Sequence, residues 1–210
     1  MVNEPDVEEA VRIAGRNPAL RVGLHLTLCD GHASEVSALT DAHGHFVKSP
    51  AEAGLRYAFD PRTRTALARE IAAQFRRFAE LGFPPGHFDG HAHLHLHPTV
   101  FRLALPELIA RGFRFIRLVR EPGNHAPVAL VFRALSASAV RKLATHGIRA
   151  ADHVFGLHDT GRMTTACFAQ ILERLPDGVS ELYFHPGAES EELDFARLRD
   201  LLAAHLIVLA

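Results

Sequence analysis

The sequence contains little cysteine, no long apolar run and no excess of either charge. Its 210 residues include only Cys29 and Cys167, which excludes a disulfide framework and a CxxC metal site. The two cysteines could pair with each other, but a reduced, cytoplasmic protein is the simpler interpretation. No apolar run approaches the roughly 18 residues of a transmembrane helix. Acidic residues near Met1 occupy the place of the apolar core of a signal peptide. We therefore expect neither a transmembrane helix nor a signal peptide.

The charges are balanced, with 23 Lys plus Arg, 24 Asp plus Glu and a formal net charge of −1. This balance argues against a large nucleic-acid surface and against a polybasic membrane surface. Hydrophobic residues make up 48% and charged residues 22%, which is typical of a globular chain and excludes a disordered one. At about 150 residues per domain, and without a repeat or a linker, residues 1–210 are interpreted as one domain.

The hydrophobic pattern predicts strands that alternate with helices. Apolar residues at every second position predict a strand over 20–28. Before it, Asn3 is a candidate N-cap of a helix that ends at Gly15, and after it residues 30–62 are interpreted as a long loop. Further helices are predicted over 65–81, 99–111, 127–146, 164–175 and 193–205, and further strands over 114–119, 148–155 and 182–184. This alternation indicates an α/β fold with a mainly parallel sheet or barrel.

Histidine is the abundant residue, and five of the 15 histidines fall within residues 87–97. Three histidine-bearing segments lie where strands are predicted: His25 in GLHLTL, the run FDGHAHLHLHP, and His185 in YFHPG. Functional groups of α/β folds gather at the carboxyl ends of strands, and histidine titrates near neutral pH. The three segments together are therefore the candidate site.

The histidine run is the most specific of these segments. His91, His93, His95 and His97 recur at every second position, so on an extended strand they would point to one side together with Asp89. Residues two apart on a strand are separated by about 6.6 Å, so one ion takes at most one or two of them. The others would orient a ligand or contact substrate. Imidazole is a suitable ligand for Zn, Fe, Ni or Mn, and a carboxylate ligand would add Mg to the metals that such a site can bind.

Other interpretations remain open from the residues alone. A single strand histidine such as His25 is commonly a hydrogen-bonded structural residue. A His-rich tract can store or sense metal, although Leu94 and Leu96 within the run are typical of a core. The sequence contains no GxSxG, GxxxxGK[ST], GxGxxG or HExxH motif. Metal-assisted chemistry is therefore the reaction type that the residues favour.

Five segments, taken in order, resemble the YdjC-like carbohydrate deacetylases, also called the ChbG/HpnK family: GLHLTL, FDGHAHLHLHP, IRLVREP, DHVFGLHDTGRM and YFHPG. The resemblance runs from about residue 1 to residue 190. The REP and DHxxGLxxxGRM stretches look closest to the hopanoid-biosynthesis-associated HpnK branch. The resemblance implies a distorted (β/α) barrel, related to polysaccharide deacetylases, that removes N-acetyl groups from an amino-sugar or glycolipid substrate.

The resemblance also implies roles for individual residues. It implies one divalent ion, Mg²⁺ or Zn²⁺, with His25 and His91 as metal ligands. His185, from the late His-Pro pair, would be the catalytic acid that protonates the leaving amine. Neighbouring polar side chains would contact the substrate or orient a ligand: Asp89, His93, His95 and Arg117.

The sequence departs from the family pattern at its start. The family motif A-D-D-F-G, whose Asp is a further metal ligand, is absent, and Met1-Val2-Asn3 is similar to the end of the family's second strand. We therefore expect a barrel that lacks its first βα unit. Either the true start lies upstream, which we favour because the other site segments are intact, or the product is a truncated, inactive metal-binding remnant or sugar-binding module. The open sheet edge of such a barrel would favour a homo-oligomer.

Overall fold

The computed structural model describes residues 1–185 and 194–204 of the chain. Within these ranges helices alternate with short parallel strands, which makes the structure mixed α/β as the sequence predicts. The chain groups into two compact units, the first formed by Met1–Arg117 and Ser138–Arg149 and the second by Leu118–Ala137 and Ala150–Ala210. The single domain over 1–210 stays a prediction. No helix in the described ranges is long and apolar enough to cross a membrane.

Two short parallel strands lie at the centre of the first unit. β1 (Leu24–Leu26) pairs with β2 (Phe88–Gly90), and His25 lies opposite Asp89 in this register. Both leucines of β1 are buried, whereas His25 between them is partly exposed. The alternation in the sequence therefore decides which face of β1 packs into the core, because successive side chains of a strand point to opposite faces.

The parallel ladder of the first unit continues beyond β2 as isolated bridges. Phe88 bridges Ile116, and Phe115 bridges Arg149. The strands predicted over 20–28, 114–119 and 148–155 are therefore longer than the ladders that form. Apolar alternation reports which residues are buried, whereas a strand also requires a neighbouring segment to accept and donate its backbone hydrogen bonds.

Four helices belong to the first unit: α1 (Val7–Arg16), α2 (Pro50–Phe59), α3 (Arg62–Glu80) and α4 (Pro98–Ala110). The apolar stripe predicted on α3 is buried, and α3 packs against α4 and β1. Phe75 of α3 stacks on Phe88 with ring centroids 5.3 Å apart, and its edge contact with Phe113 spans 5.5 Å. These aromatic rings fill the space between α3 and the ladder.

Helix α2 lies within the region that the sequence analysis interprets as a loop. Ser49 caps it, since its side chain accepts a hydrogen bond from the Glu52 backbone N–H at 3.3 Å, and Pro50 occupies the first turn. The spacing of Ser49 and Glu52 is that of a capping box. The hydrophobic pattern did not predict this helix, because the face that α2 buries is marked by only two residues, Ala53 and Tyr57.

A buried polar network joins α3 to the segment that follows β1. Glu70 is buried and accepts hydrogen bonds from Asn3, from Gln74 and from both the backbone and the side chain of Ser34. Asn3 is therefore not the helix N-cap that the sequence analysis predicts. Helix α1 begins at Val7, and the Asn3 side chain instead ties the start of the chain to α3.

Replacing Gln74 with leucine is expected to lower the free energy of unfolding by about 2 kcal/mol. Gln74 is fully buried; its side chain accepts a hydrogen bond from the Thr27 N–H at 3.0 Å and donates one to the Thr27 carbonyl at 2.7 Å. Leucine has a similar volume but removes this partner from both backbone groups. Urea unfolding measures the difference, with Arg76→Leu on the exposed side of α3 as the control. A loss below about 0.5 kcal/mol, typical of surface substitutions, would contradict this role.

The second unit contains a second pair of parallel strands, β3 (His153–Phe155) and β4 (Ser180–Leu182). β4 begins two residues before the strand predicted over 182–184, although the Tyr183 N–H still donates to the Phe155 carbonyl at 3.1 Å. The apolar run alone therefore misplaced the start of the ladder. A small core packs beside these strands and includes Met163, Phe168, Leu172 and Leu198.

The remaining helices agree with the prediction within a few residues. They are α5 (Pro127–Ala144), which has residues in each unit, α6 (Thr165–Leu172) and α7 (Phe195–Ala204). Thr164 caps α6 by accepting a hydrogen bond from the Cys167 N–H at 3.1 Å. Cys29 and Cys167 are both free cysteines, as the simpler interpretation of the sequence expects.

Candidate active site

The strand register brings two predicted site residues into contact. His25 on β1 and Asp89 on β2 are direct partners in the parallel ladder, and Nδ1 of His25 lies 2.7 Å from Oδ1 of Asp89. The side chain of Asp89 is 6% exposed and that of His25 is 32% exposed. The carboxylate is thus held beneath the imidazole, and the imidazole retains access to solvent.

Arg117 holds the other oxygen of the same carboxylate. Its guanidinium donates to Oδ2 of Asp89, and its side chain is 13% exposed. Burial by itself raises the pKa of Asp89, but the hydrogen bond with His25 and the positive charge of Arg117 hold that pKa well below its ordinary value. Asp89 is therefore an ionised, buried carboxylate that bridges an imidazole and a guanidinium.

This bridge determines the tautomer of His25. An ionised carboxylate can only accept hydrogen bonds, so the proton that lies between His25 and Asp89 belongs to Nδ1 of the imidazole. In the neutral ring Nε2 then carries the lone pair. Histidines that bind metals are commonly oriented in this way, with a carboxylate on the other ring nitrogen.

His91 lies next to His25 and supplies a second imidazole. The two ring centroids are 5.8 Å apart and the ring planes meet at 75°. His91 follows β2 directly, so the middle of β1 and the residue after β2 each place one imidazole at this position. A pair of imidazoles beside a buried carboxylate suits a borderline ion such as Zn²⁺ better than a hard ion such as Mg²⁺.

The histidine run is not an extended strand, contrary to the sequence analysis. Strand β2 ends at Gly90, and His91–Leu96 forms 3₁₀ turns that are separated by a kink, where Ala92 and His93 have positive φ angles of 48° and 58°. Alternation at every second residue therefore does not place these histidines on one side. Gly90 permits the turn, because a Cβ atom there would lie 2.9 Å from the Cβ of His95.

His95 is fully buried beneath the site. Its Nε2 donates to the carbonyl of Arg117 at 2.8 Å, and its ring makes an edge contact with Phe88. Burial lowers the pKa of His95 to about 4, so the ring is neutral at physiological pH. His95 thus touches the same arginine that holds Asp89, which places it behind the carboxylate.

His93 stays close to the site, whereas His97 lies near α2. The ring of His93 lies 6.2 Å from that of His95, and burial lowers the pKa of His93 to about 3. Burial also lowers the pKa of His97, whose ring lies 3.8 Å from the position that a Cβ atom on Gly54 of α2 would occupy. The substrate or ligand-orienting roles of Asp89, His93, His95 and Arg117 stay predictions.

Within the described residues, no group of three or more His, Cys, Asp or Glu side chains is arranged to hold a metal ion. His25 and His91 therefore offer two donors, and an ion bound there would take its remaining ligands from water or substrate, as catalytic zinc sites do in part. The donor chemistry and the orientation of His25 by Asp89 fit such an ion. The assignment of both histidines as metal ligands stays a prediction.

His185 belongs to the second unit, and its ring lies 6.0 Å from the ring of Tyr183. The rest of the His-Pro motif, Pro186, lies outside the described residues. The role of His185 as an acid stays a prediction. In the same unit Glu121, from the REP stretch, accepts hydrogen bonds from the backbone N–H groups of Gly156 and His158, both at 2.9 Å. Two of the stretches that carry the resemblance are thus joined by one carboxylate.

Sequence reasoning missed Glu70 and Gln74, which support the segment next to His25. Both are polar residues at buried positions of α3, four residues apart and within the apolar stripe. That position was the available signal, because a polar side chain on the buried face of a helix needs a partner in the core. The sequence named Asp89 and Arg117 separately but gave no indication that they pair.

The fold and the site together describe a mixed α/β protein with two imidazoles and a buried carboxylate on adjacent parallel strands and the turn that follows one of them. Residues 1–205 match the family model of YdjC-like proteins, and the chain belongs to this family. The chain is 32% identical over 219 aligned residues to the carbohydrate deacetylase of Mus musculus, an alignment that covers 90% of this chain and 68% of that protein.

Two further comparisons concern shorter alignments and the fold. The carbohydrate deacetylase of Geobacillus stearothermophilus is 37% identical over 128 residues, which cover 60% of this chain and 49% of that protein. The chain thus matches about half the length of that relative. A proposed cellobiose-phosphate cleavage protein of Enterococcus faecalis V583 superposes with a TM-score of 0.70 at 18% identity, covering 100% of this chain and 84% of that one. This likeness concerns the fold alone.

Proposed function

We propose that this protein is a metal-dependent carbohydrate deacetylase that hydrolyses the N-acetyl group of an amino sugar. The observation that carries the proposal is the His25–Asp89–Arg117 chain beside His91, found in a member of the YdjC-like family. The names of the relatives from Mus musculus and Geobacillus stearothermophilus support the reaction and the class of substrate.

Each residue has a definite role in this proposal. His25 and His91 would hold one divalent ion, Zn²⁺ or Mg²⁺, which would supply Lewis-acid polarisation of the acetamide carbonyl. Asp89 keeps the proton of His25 on Nδ1 and so presents Nε2. Arg117 keeps Asp89 ionised. His185, in the second unit, would donate a proton to the nitrogen of the leaving amine.

The finer assignments also belong to the proposal. We propose that the substrate is an amino-sugar glycolipid of hopanoid metabolism, as in the HpnK branch, and that the protein acts in the cytoplasm. The fold would be a distorted (β/α) barrel of the polysaccharide-deacetylase-like type. The REP and DHxxGLxxxGRM stretches support the branch.

Acetate release from N-acetylglucosamine oligomers tests the proposal. The 210-residue chain is expected to release acetate when Zn²⁺ or Mg²⁺ is supplied, and a chelator is expected to abolish the release. His25→Ala and His91→Ala are each expected to lose one equivalent of bound metal together with the activity, whereas the exposed His146→Ala is the matched control. Wild-type metal content in both variants would refute the ligand assignment.

A second candidate function rests on one observation, the lack of a third protein ligand among the described residues. The chain would then be a non-catalytic metal-binding protein or a sugar-binding module of the same fold. Unchanged binding of chitooligosaccharides without acetate release would support this alternative. Acetate release by the chain itself that stops on addition of chelator would exclude it.

A further inference from the structure

Three histidines outside the candidate active site cluster on the segment between β1 and α2. His32 and His45 are opposite each other in an antiparallel bridge, and their ring centroids are 4.6 Å apart. The ring of His43 lies 6.4 Å from that of His45. The side chains of His32 and His45 are 44% and 50% exposed, so solvent and ions reach both rings.

Each of the two paired rings has a different carboxylate near its Nδ1 atom. Oε2 of Glu4 lies 2.8 Å from Nδ1 of His32, and Oε1 of Glu4 accepts the backbone N–H of His32 at 3.0 Å. Across the bridge, Oδ2 of Asp41 lies 3.5 Å from Nδ1 of His45. The hydrogen bond with Glu4 favours the tautomer of His32 with its proton on Nδ1, which leaves the lone pair on Nε2.

The backbone of the segment is held in place as well. Oδ1 of Asp41 accepts the N–H groups of His43 and His45, both at 2.9 Å, which fixes the turn that carries these two rings. Glu4 anchors the opposite side of the bridge through the N–H of His32. Hydrogen bonds therefore fix the backbone of the hairpin-like segment that carries His32 and His45, whereas their rings remain accessible to solvent.

We propose that His32 and His45 form a second metal site, separate from His25 and His91, that binds a late divalent transition ion such as Zn²⁺ through the Nε2 atoms. Imidazole donors select Zn²⁺, Ni²⁺ or Cu²⁺ over Mg²⁺ and Ca²⁺. Two imidazoles on one tetrahedral ion have ring centroids roughly 5 Å apart, because the Zn–N distance is about 2.0–2.1 Å. The observed 4.6 Å lies close to this separation.

His43 completes the site as a third ligand. The ring of His43 lies farther from His45 than the ring of His32 does, so only two donors are close together before an ion binds. This agrees with the absence of a preformed group of three metal-binding side chains among the described residues. His43 is exposed, so its side chain can rotate towards the pair with no cost in core packing. The ion would link the two sides of the segment between β1 and α2.

Zinc titration calorimetry in the His25→Ala/His91→Ala background tests this site without contribution from the candidate active site. This background is expected to bind one Zn²⁺ per chain with micromolar affinity and to show no heat with Mg²⁺. Adding His32→Ala or His45→Ala is expected to abolish the binding, and adding His43→Ala is expected to weaken it about tenfold. Adding the exposed His146→Ala is the matched control and is expected to leave zinc binding unchanged.

Two results would overturn the site. One is the absence of zinc binding in the His25→Ala/His91→Ala background, and the other is zinc binding that survives the loss of both His32 and His45. Circular dichroism checks that each variant is folded, and all three substituted rings are at least partly exposed. The outcome is independent of the proposed deacetylase reaction, because no measurement in this series uses catalysis.

Discussion

Asp89→Asn is expected to reduce zinc affinity at the candidate active site by about 10- to 100-fold, with a parallel loss of acetate release. Asparagine keeps the shape of the side chain but removes the charge that orients His25 and pairs with Arg117. His25 then loses the anion that keeps its proton on Nδ1, and the guanidinium of Arg117 is left buried without its counter-ion. The lower metal affinity follows from the loss of the anion at His25, and a lower stability follows from the unpaired charge of Arg117.

Zinc titration of Asp89→Asn in the His32→Ala/His45→Ala background measures the affinity of this site alone. Asp177→Asn, which changes an exposed aspartate of the second unit, is the matched control and is expected to bind zinc normally. A merely structural role for Asp89 would lower the midpoint of urea unfolding and leave the zinc affinity of the folded protein unchanged. That combination would contradict the role assigned to Asp89 here.

Acidification from pH 7 to pH 5 is expected to lower the free energy of unfolding by about 2 kcal/mol through His95 alone. Burial lowers the pKa of His95 from an ordinary 6.5 to about 4, so the unfolded chain binds a proton in this range that the folded chain does not. The stability that the uncharged His95 contributes is complete above the pKa that His95 has in the unfolded chain. It is lost as the pH falls towards the pKa that His95 has in the folded chain. Urea unfolding between pH 5 and pH 7 measures it.

His95→Gln separates this contribution from those of other titrating groups. Glutamine can still donate to the Arg117 carbonyl but does not titrate, so the slope of stability against pH should fall by up to about 1.4 kcal/mol per pH unit. His146→Gln, at an exposed position, controls for the general effect of replacing a histidine. An undiminished slope in His95→Gln would show that His95 is protonated in the folded protein.

The helices were largely predictable, because a helix satisfies its own backbone hydrogen bonds and shows its buried face as a period of 3.6 residues. Helices α3 and α6, predicted over 65–81 and 164–175, were of this kind. The strands were less predictable, because their bounds depend on where a distant segment pairs. β4 accordingly begins at Ser180, before the apolar residues that indicated it.

The histidine run shows the same limit within the candidate site. Its alternation resembles a strand, but after Gly90 the segment forms 3₁₀ turns that are separated by a kink, where Ala92 and His93 have positive φ angles. No local pattern announces this turn, because it depends on His95 packing against Gly90 and bonding to Arg117. The contact of His25 with Asp89 likewise spans 64 residues of sequence and exists only through the register of β1 and β2.

The sequence by itself determined the α/β class, the family and the types of residue available for chemistry, because these follow from periodicity and from short motifs. Only the tertiary structure decided which of the 15 histidines stand together and what holds them. His25 on β1 meets His91, which follows β2, while His32 and His45 meet across a bridge elsewhere. The physical reason is that proximity between side chains depends on backbone pairing and burial over long sequence separations, which composition and spacing do not encode.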